Sequence, residues 1–106
     1  MDRKAAVYIN DDLAGYLIQT DKEYIFQYDE VYFSDSGKPA ISLTFPKSQR
    51  EYHSKYLFSF FFGLLSEGDM KILQCRKLGI DDNDHFTRLL KTARNTIGAV
   101  KIREAI

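Results

Sequence analysis

The sequence predicts an α+β fold, in which a mostly antiparallel sheet of about five strands carries three helices packed on one face. Apolar and polar residues alternate along much of residues 5–46, which is the period of strands, whereas residues 54–94 repeat apolar positions every three or four residues, as helices do. Residues 97–102 again resemble a strand. Strands followed by helices favour a sheet covered on one face. The length of 106 residues suits one domain, which we expect to span residues 1–106.

The first two strands are predicted to form a hairpin. Residues 5–9 (AAVYI) and residues 13–20 (LAGYLIQT) are apolar runs of strand length. Asn10, Asp11 and Asp12 lie between them, and their short polar side chains favour a turn because they bond to nearby backbone groups.

A third strand is predicted over residues 23–33 (EYIFQYDEVYF), where Tyr24, Phe26 and Tyr28 share one face at a spacing of two. Exposed aromatic rings on a sheet can stack unpaired nucleic-acid bases, but such surfaces also carry cations. The residues that flank these rings are acidic, namely Glu23, Asp29 and Glu30. We therefore interpret the aromatic face as core or as a hidden interface.

A fourth strand is predicted over residues 40–46 (AISLTFP), after a loop at residues 34–39. The alternation places Ile41, Leu43 and Phe45 inward, and Pro46 ends the strand because it has no backbone donor.

Three helices are predicted next. The first covers residues 54–65 (SKYLFSFFFGLL), with Ser54 as its cap, and is apolar around most of its circumference. The second covers residues 70–78 and ends at Gly79. The third covers residues 84–94, after a capping cluster at residues 81–84. Its apolar face consists of Phe86, Leu89, Leu90 and Ala93.

The composition argues against several classes of function. Fifteen basic residues balance fifteen acidic ones, so no net charge attracts the chain to nucleic acid or to an anionic membrane. Cys75 is the only cysteine, which excludes an intramolecular disulfide. No apolar run approaches the ~20 residues of a membrane span, and the first residues lack a signal sequence. We expect a cytoplasmic protein that binds neither membranes nor nucleic acid directly.

No catalytic, cofactor or metal site is predicted. His53 and His85 do not have the spacing of metal ligands, and Cys75 lies among leucines, as a small core residue would. The glycines stand singly, so no phosphate-binding loop is present. The acidic pairs all fall at predicted turns or caps, namely Asp11-Asp12, Asp29-Glu30 and Asp81-Asp82.

Four segments in a fixed order resemble a known family. They are ISLTFP, FFFGLLSEGD, DHFTRLL and the closing IGAVKI. Together, over roughly residues 5–103, they resemble the N-terminal subdomain of the HipA family of serine/threonine kinase toxins. That family usually has leucine-proline-glutamate-glycine where this chain has a serine, in the run Leu65-Ser66-Glu67-Gly68.

The resemblance implies a protein that is not an enzyme, because HipA-like kinases carry their phosphate loop and catalytic aspartates in a further domain that this sequence lacks. A free-standing subdomain of this type resembles HipS, the antitoxin of HipBST systems. We therefore expect an antitoxin that binds and inhibits a separate HipT- or HipA-like kinase, with a HipB-like DNA-binding protein in a ternary complex. Two other functions stay open: an accessory subunit that stabilises or activates a split kinase, and a small module that binds single-stranded nucleic acid.

The polar corner after the apolar helix is the predicted contact with the kinase. A carboxylate and free N–H groups at a helix start could engage a nucleotide-binding loop. The same corner also has a purely structural interpretation, as a helix stop followed by a cap. The expected partner-binding residues are Ser66, Glu67, Gly68, Asp69 and Met70.

Overall fold

The computed structural model describes residues 2–65, 76–77, 79, 84–92 and 100–105. The elements, in chain order, are β1 (Arg3–Ile9), β2 (Asp12–Gln19), β3 (Tyr24–Tyr28), α1 (Glu30–Ser34), β4 (Glu51–Ser54), α2 (Ser59–Phe62), α3 (His85–Thr92) and β5 (Val100–Glu104). The five strands pair in the order β4-β3-β2-β1-β5, and every pairing is antiparallel. The predicted α+β fold with a five-stranded antiparallel sheet is confirmed.

The hairpin of β1 and β2 forms as predicted. Ile9 pairs with Asp12, and the two residues between them have positive φ angles, 48° at Asn10 and 70° at Asp11. Two successive residues with positive φ make the hairpin turn whose twist matches that of the strands. Asn and Asp adopt this conformation more readily than other residues that carry a side chain, which explains why they occupy the turn.

The inner face of the sheet is built from residues that are paired across strands. One row runs Ile102, Val7, Gly15, Tyr28, and a second runs Ala5, Leu17, Phe26, Tyr52. Phe26 and Tyr28 are fully buried, so the aromatic face of β3 belongs to the core, as expected. Gly15 is required in its row because a Cβ there would collide with the carbonyl oxygen of Gln27.

The core continues from the sheet into the helices through contacts between aromatic rings. Phe61 of α2 lies with its ring centroid 5.9 Å from that of Phe26 and 6.0 Å from that of Phe45. Burying a large apolar side chain of this kind contributes about 1.5–3 kcal/mol. From α3, Phe86 and Leu89 join the same cluster, each with about 1% of its surface exposed.

The third strand is shorter than predicted, because a helix interrupts it. The side chain of Asp29 accepts hydrogen bonds from the backbone N–H groups of Val31 and Tyr32, at 3.2 Å and 3.3 Å. This N-cap starts α1, so the prediction of strand up to residue 33 is wrong. Tyr32 still reaches the core, but on a helix rather than on a strand.

The predicted strand over residues 40–46 is wrong as well. Ile41 and Phe45 are buried, but Leu43, expected to point inward, is 100% exposed. The backbone forms turns here, because Phe45 N–H donates to the carbonyl of Ser42 and Ile41 N–H donates to the hydroxyl of Tyr28. Local bonds of this kind compete with the ladder of a sheet.

The fourth strand is instead β4, in a segment for which no strand was predicted. It pairs with β3 through residues Glu51–Ser54, and Ser54 therefore ends a strand rather than capping a helix. The helix that follows is limited to Ser59–Phe62, and Tyr56, which lies within the range predicted to be an apolar helix, is 77% exposed. Leu57 is buried, although it precedes the helix.

The later elements agree with the predictions where they are described. Helix α3 begins directly after Asp84, as the cap cluster indicated, and β5 extends to Glu104. Most of the predicted helix over residues 70–78 lies outside the described residues, but Arg76 and Lys77 are helical. Gly79 has a φ angle of 67°, as expected for a residue that ends a helix. Among the described residues, no helix has the length and apolar content needed to cross a bilayer.

Candidate partner-binding surface

The predicted contact residues lie outside the described part of the chain. The described part of the chain excludes Ser66, Glu67, Gly68, Asp69 and Met70, and it also excludes Cys75. Helices α2 and α3 meet in a ring contact, because the centroids of Phe62, at the end of α2, and His85, at the start of α3, lie 4.7 Å apart. Phe62 remains 37% exposed beside this contact.

Helix α3 is fixed to the sheet at its first turn. The carboxylate of Asp84 accepts hydrogen bonds from the backbone N–H and the hydroxyl of Thr87 and from the guanidinium of Arg3, the last at 3.0 Å. Burial alone would raise the pKa of Asp84, but the bonds from Thr87 and Arg3 outweigh it and lower the pKa. The guanidinium of Arg3 also lies 4.6 Å from the centre of the Phe86 ring. The cluster of Arg3, Asp84, Phe86 and Thr87 therefore has a structural role, which is to attach α3 to the sheet.

The side chains considered for chemistry are separated by the fold. Within the described ranges, no group of three His, Cys, Asp or Glu residues is placed to hold a metal ion. Asp11 and Asp12 lie at the β1–β2 turn and form ion pairs with Lys101 and Lys38, each at 3.0 Å. Asp29 caps α1, as described above. The two acidic pairs that the structure describes therefore have turn or cap positions, as predicted.

His53 lies on the edge strand β4 between two carboxylates. Its ring nitrogens lie 3.1 Å from Glu23 and 2.7 Å from Glu51. Both carboxylates accept only, so the arrangement suits an imidazolium, and the hydrogen bonds to Glu23 and then to Glu51 raise the pKa of His53. The side chain of His53 is 46% exposed, and the cluster ties the edge strand to the start of β3.

The outer face of the sheet is open to solvent and forms a shallow depression of about 280 Å³. Tyr8 and Tyr16 lie on this face, each under a cation of the same chain. The ammonium of Lys4 lies 4.2 Å from the centre of the Tyr16 ring, and the guanidinium of Arg103 lies 5.6 Å from that of Tyr8. These cations already cover the rings, which is typical of a solvated sheet face.

A long loop, residues 35–50, connects α1 to β4 and contains no helix or strand. Loops of this length inside a small domain usually carry function. Its backbone is held by hydroxyl groups from outside it, because the side chain of Tyr28 donates to the carbonyl of Phe45 and that of Tyr32 donates to the carbonyl of Pro39. Tyr52 reaches the carbonyl of Pro46 in the same way. The loop is therefore fixed without a sheet ladder.

Two lysines close the base of this loop. The ammonium of Lys47 donates to the backbone carbonyls of Asp35 and Lys38, at 2.6 Å and 2.8 Å. The ammonium of Lys38 pairs with Asp12, and a hydrogen bond from that pair raises its pKa. Both lysines help to line an open cavity of about 440 Å³ between α1 and the loop. The remaining lining residues are Phe33, Ser34, Ser36, Ala40 and Pro46.

The apex of the loop is a short turn that presents Leu43. The hydroxyls of Ser42 and Thr44 are hydrogen-bonded to each other at 2.9 Å, and the hydroxyl of Ser42 also accepts from the backbone N–H of Thr44 at 3.2 Å. Sequence reasoning missed this feature by assigning the segment to a strand. The signals that favour the observed turn are the hydroxyl residues at alternate positions and the proline at each end, Pro39 and Pro46.

Comparison with known proteins identifies the family. The model of the HipA N-terminal domain matches residues 5–103. The chain belongs to the HipA N-terminal domain family. It is 34% identical, over 102 residues, to an uncharacterized protein of Haemophilus influenzae (strain ATCC 51907 / DSM 11121 / KW20 / Rd), with 96% of this chain and 92% of that protein covered.

A solved structure agrees with this assignment. The N-terminal domain of HipA toxin superimposes with a TM-score of 0.74 at 26% sequence identity, covering 98% of this chain and 93% of the solved chain. The resemblance inferred from the sequence motifs is therefore confirmed. Membership of this family suggests a component of a HipA-related toxin–antitoxin system.

Proposed function

We propose that this chain is a non-catalytic antitoxin that binds and inhibits a separate HipA-like serine/threonine kinase in the cytoplasm. The observation that carries the proposal is the family match over residues 5–103, because a HipA N-terminal domain is not the catalytic part of the kinase. The Haemophilus influenzae relative supports it, since the match covers 92% of that protein and leaves no room there for a kinase domain.

Physical reasoning supports binding to a kinase. A subdomain that is tethered to a catalytic domain has a surface complementary to it, and separation into two chains turns that contact into an intermolecular one. Binding then depends on concentration. If the antitoxin binds only an inactive arrangement of the kinase, it inhibits by shifting the population of states, without occupying the substrate site.

The nucleic-acid alternative depended on three aromatic rings of β3, and the fold buries two of them. Phe26 and Tyr28 are fully buried, so their rings cannot stack on bases. The accessory-subunit alternative predicts the opposite effect on the kinase, namely activation instead of inhibition. Expression of the kinase alone distinguishes the two. Toxicity of the kinase without this chain supports an antitoxin, whereas inactivity supports an activator.

The direct test is to mix the purified chain with the HipA-like kinase from the same genome and to measure autophosphorylation and co-elution. We expect a stable complex and reduced autophosphorylation. Unchanged activity together with separate elution would contradict the proposal. Adding a HipB-like protein from the same genome to this mixture tests the expected ternary complex.

The corner at residues 66–70 remains a proposed contact with the kinase. We predict that Glu67→Lys weakens kinase binding without changing the melting temperature, because a carboxylate is proposed to engage the nucleotide-binding loop. Glu104→Lys, on the exposed end of β5, is the matched charge reversal and should bind as the wild type does. Equal affinities of the wild type, Glu67→Lys and Glu104→Lys for the kinase, measured by calorimetry, would show that Glu67 does not contact the kinase.

A further inference from the structure

We propose that the loop of residues 35–50 docks on the partner kinase, and that Leu43 enters an apolar pocket whose rim carries carboxylates. This inference rests on the proposed function, because the occupant is the kinase. It adds a contact that the sequence did not indicate, since Leu43 was expected to be buried.

The exposure of Leu43 contrasts with that of its neighbours. Leu43 is 100% exposed, whereas Ile41 and Phe45 are buried to 8% and 2% exposure. Single exposed apolar side chains are common on protein surfaces and need no partner. The distinguishing feature of Leu43 is therefore how it is held.

The turn around Leu43 is fixed on both sides. Ser42 and Thr44 bond to each other across it, and Phe45 N–H closes it by donating to the carbonyl of Ser42 at 3.1 Å. The anchors Ile41 and Phe45 join the main core cluster. Because the turn is preformed, only the Leu43 side chain has to be ordered on binding, which lowers the entropic cost of the contact.

The charge of the loop indicates the chemistry of the partner surface. The whole chain is neutral, but residues 35–50 contain Lys38, Lys47 and Arg50 against a single acid, Asp35. Lys38 is paired with Asp12 of β2, which leaves Lys47 and Arg50 against Asp35. Among the described residues, Lys47 bonds to backbone carbonyls rather than to a carboxylate, so its charge stays uncompensated. Complementary charges across an interface favour carboxylates around the pocket. A second copy of this loop would bring like charges together, which disfavours self-association through it.

The experiment measures the affinity of the kinase for the full-length wild type and for Leu43→Ser. Leu43 is fully exposed, so the substitution should leave the melting temperature unchanged while weakening binding about tenfold or more. Val31→Ser and Tyr56→Ser are matched controls, because these residues are 76% and 77% exposed and lie outside the loop of residues 35–50. Both controls should bind within about twofold of the wild type.

Two further substitutions test the predicted rim. Leu43→Asp should weaken binding several-fold more than Leu43→Lys, because carboxylates on the partner repel an acid and attract an ammonium. The opposite order would overturn the charge argument.

If the wild type binds and Leu43→Ser binds equally well, the docking proposal is overturned and the proposed function stands. If the wild type itself does not bind, the proposed function falls and this inference falls with it.

Discussion

The three-stranded meander of β1, β2 and β3 and the loop of residues 35–50 are both well fixed, but by different bonds. In the meander, backbone groups pair with backbone groups of the neighbouring strand, such as Leu17 with Phe26, although the β1–β2 register shifts between Val7 and Tyr8. In the loop, backbone carbonyls accept from side chains, chiefly the hydroxyl of Tyr28 and the ammonium of Lys47. Removing one side chain leaves the backbone hydrogen bonds of the meander intact. In the loop, the same change removes hydrogen bonds that hold the backbone in place.

The two regions also differ in what they bury. Inner residues of the meander meet in the core, while the loop buries its anchor Phe45 and exposes Leu43 two positions earlier. If Leu43 docks as proposed, stability and partner binding are separable within a few residues of one loop. The following predictions test that separation, starting with the largest effect.

Phe61 supports both regions, because its ring packs against Phe26 of the meander and against Phe45 of the loop. We predict that Phe61→Ala lowers the free energy of unfolding by about 3–5 kcal/mol through the cavity it leaves. Denaturant unfolding measures this loss. Phe62→Ala is the control, because the adjacent ring is 37% exposed and should cost clearly less. Equal stability of the Phe61 variant and the wild type would contradict the described core.

Tyr28 links the two regions, because it lies in β3 and its hydroxyl serves the loop. The hydroxyl donates to the carbonyl of Phe45 and accepts from the backbone N–H of Ile41. Tyr28→Phe leaves both groups without this partner, and we predict a loss of about 1–3 kcal/mol in unfolding free energy. Tyr8→Phe on the open face should change it by less than about 0.5 kcal/mol.

Amide exchange rates of the same Tyr28 variant test whether the loop and the meander are stabilised independently. Exchange should accelerate in residues 40–46 and stay slow in the β1–β2 ladder, because only the loop depends on the hydroxyl. Uniform acceleration across both regions would show that they unfold as one unit and would weaken the distinction between them.

The smallest predicted effect is the pH dependence at His53. Because Glu23 and Glu51 raise its pKa in the folded state, the imidazolium stabilises the fold at pH values below about 6.5, and this stability is lost as the pH rises through the folded-state value. His53→Gln should therefore cost up to about 0.5 kcal/mol at pH 5.5, as is usual for exposed ion pairs, and almost nothing at pH 9. A constant difference between these pH values would argue against the ion pairs.

The meander could be predicted from the sequence because its signals are local. Asn10 and Asp11 adopt the turn, and the spacing of Phe26 and Tyr28 defines the buried face. The loop could not be predicted, since the alternation of residues 40–46 imitates a strand and the groups that prevent one come from distant positions such as Tyr28. Strand β4 was missed because, of its four residues, only Tyr52 packs against the core.

The family could also be predicted from the sequence, whereas the exposed Leu43 could not. Motif order identified the family, because the segments that define it lie along the whole chain, and the family match confirms it. The proposed corner at residues 66–70 lies outside the described residues and stays a prediction. Leu43 could not be found from the sequence, because its exposure depends on how the loop folds.

The central claim is that this domain binds a HipA-like kinase and that the loop, rather than the meander, is part of the contact. Hydrogen exchange of the full chain with and without the kinase tests both parts at once. We predict slower exchange at residues 42–44 when the kinase is present, with unchanged rates in β1, β2 and β3. Unchanged exchange throughout the loop, under conditions where the two chains co-elute, would contradict the claim.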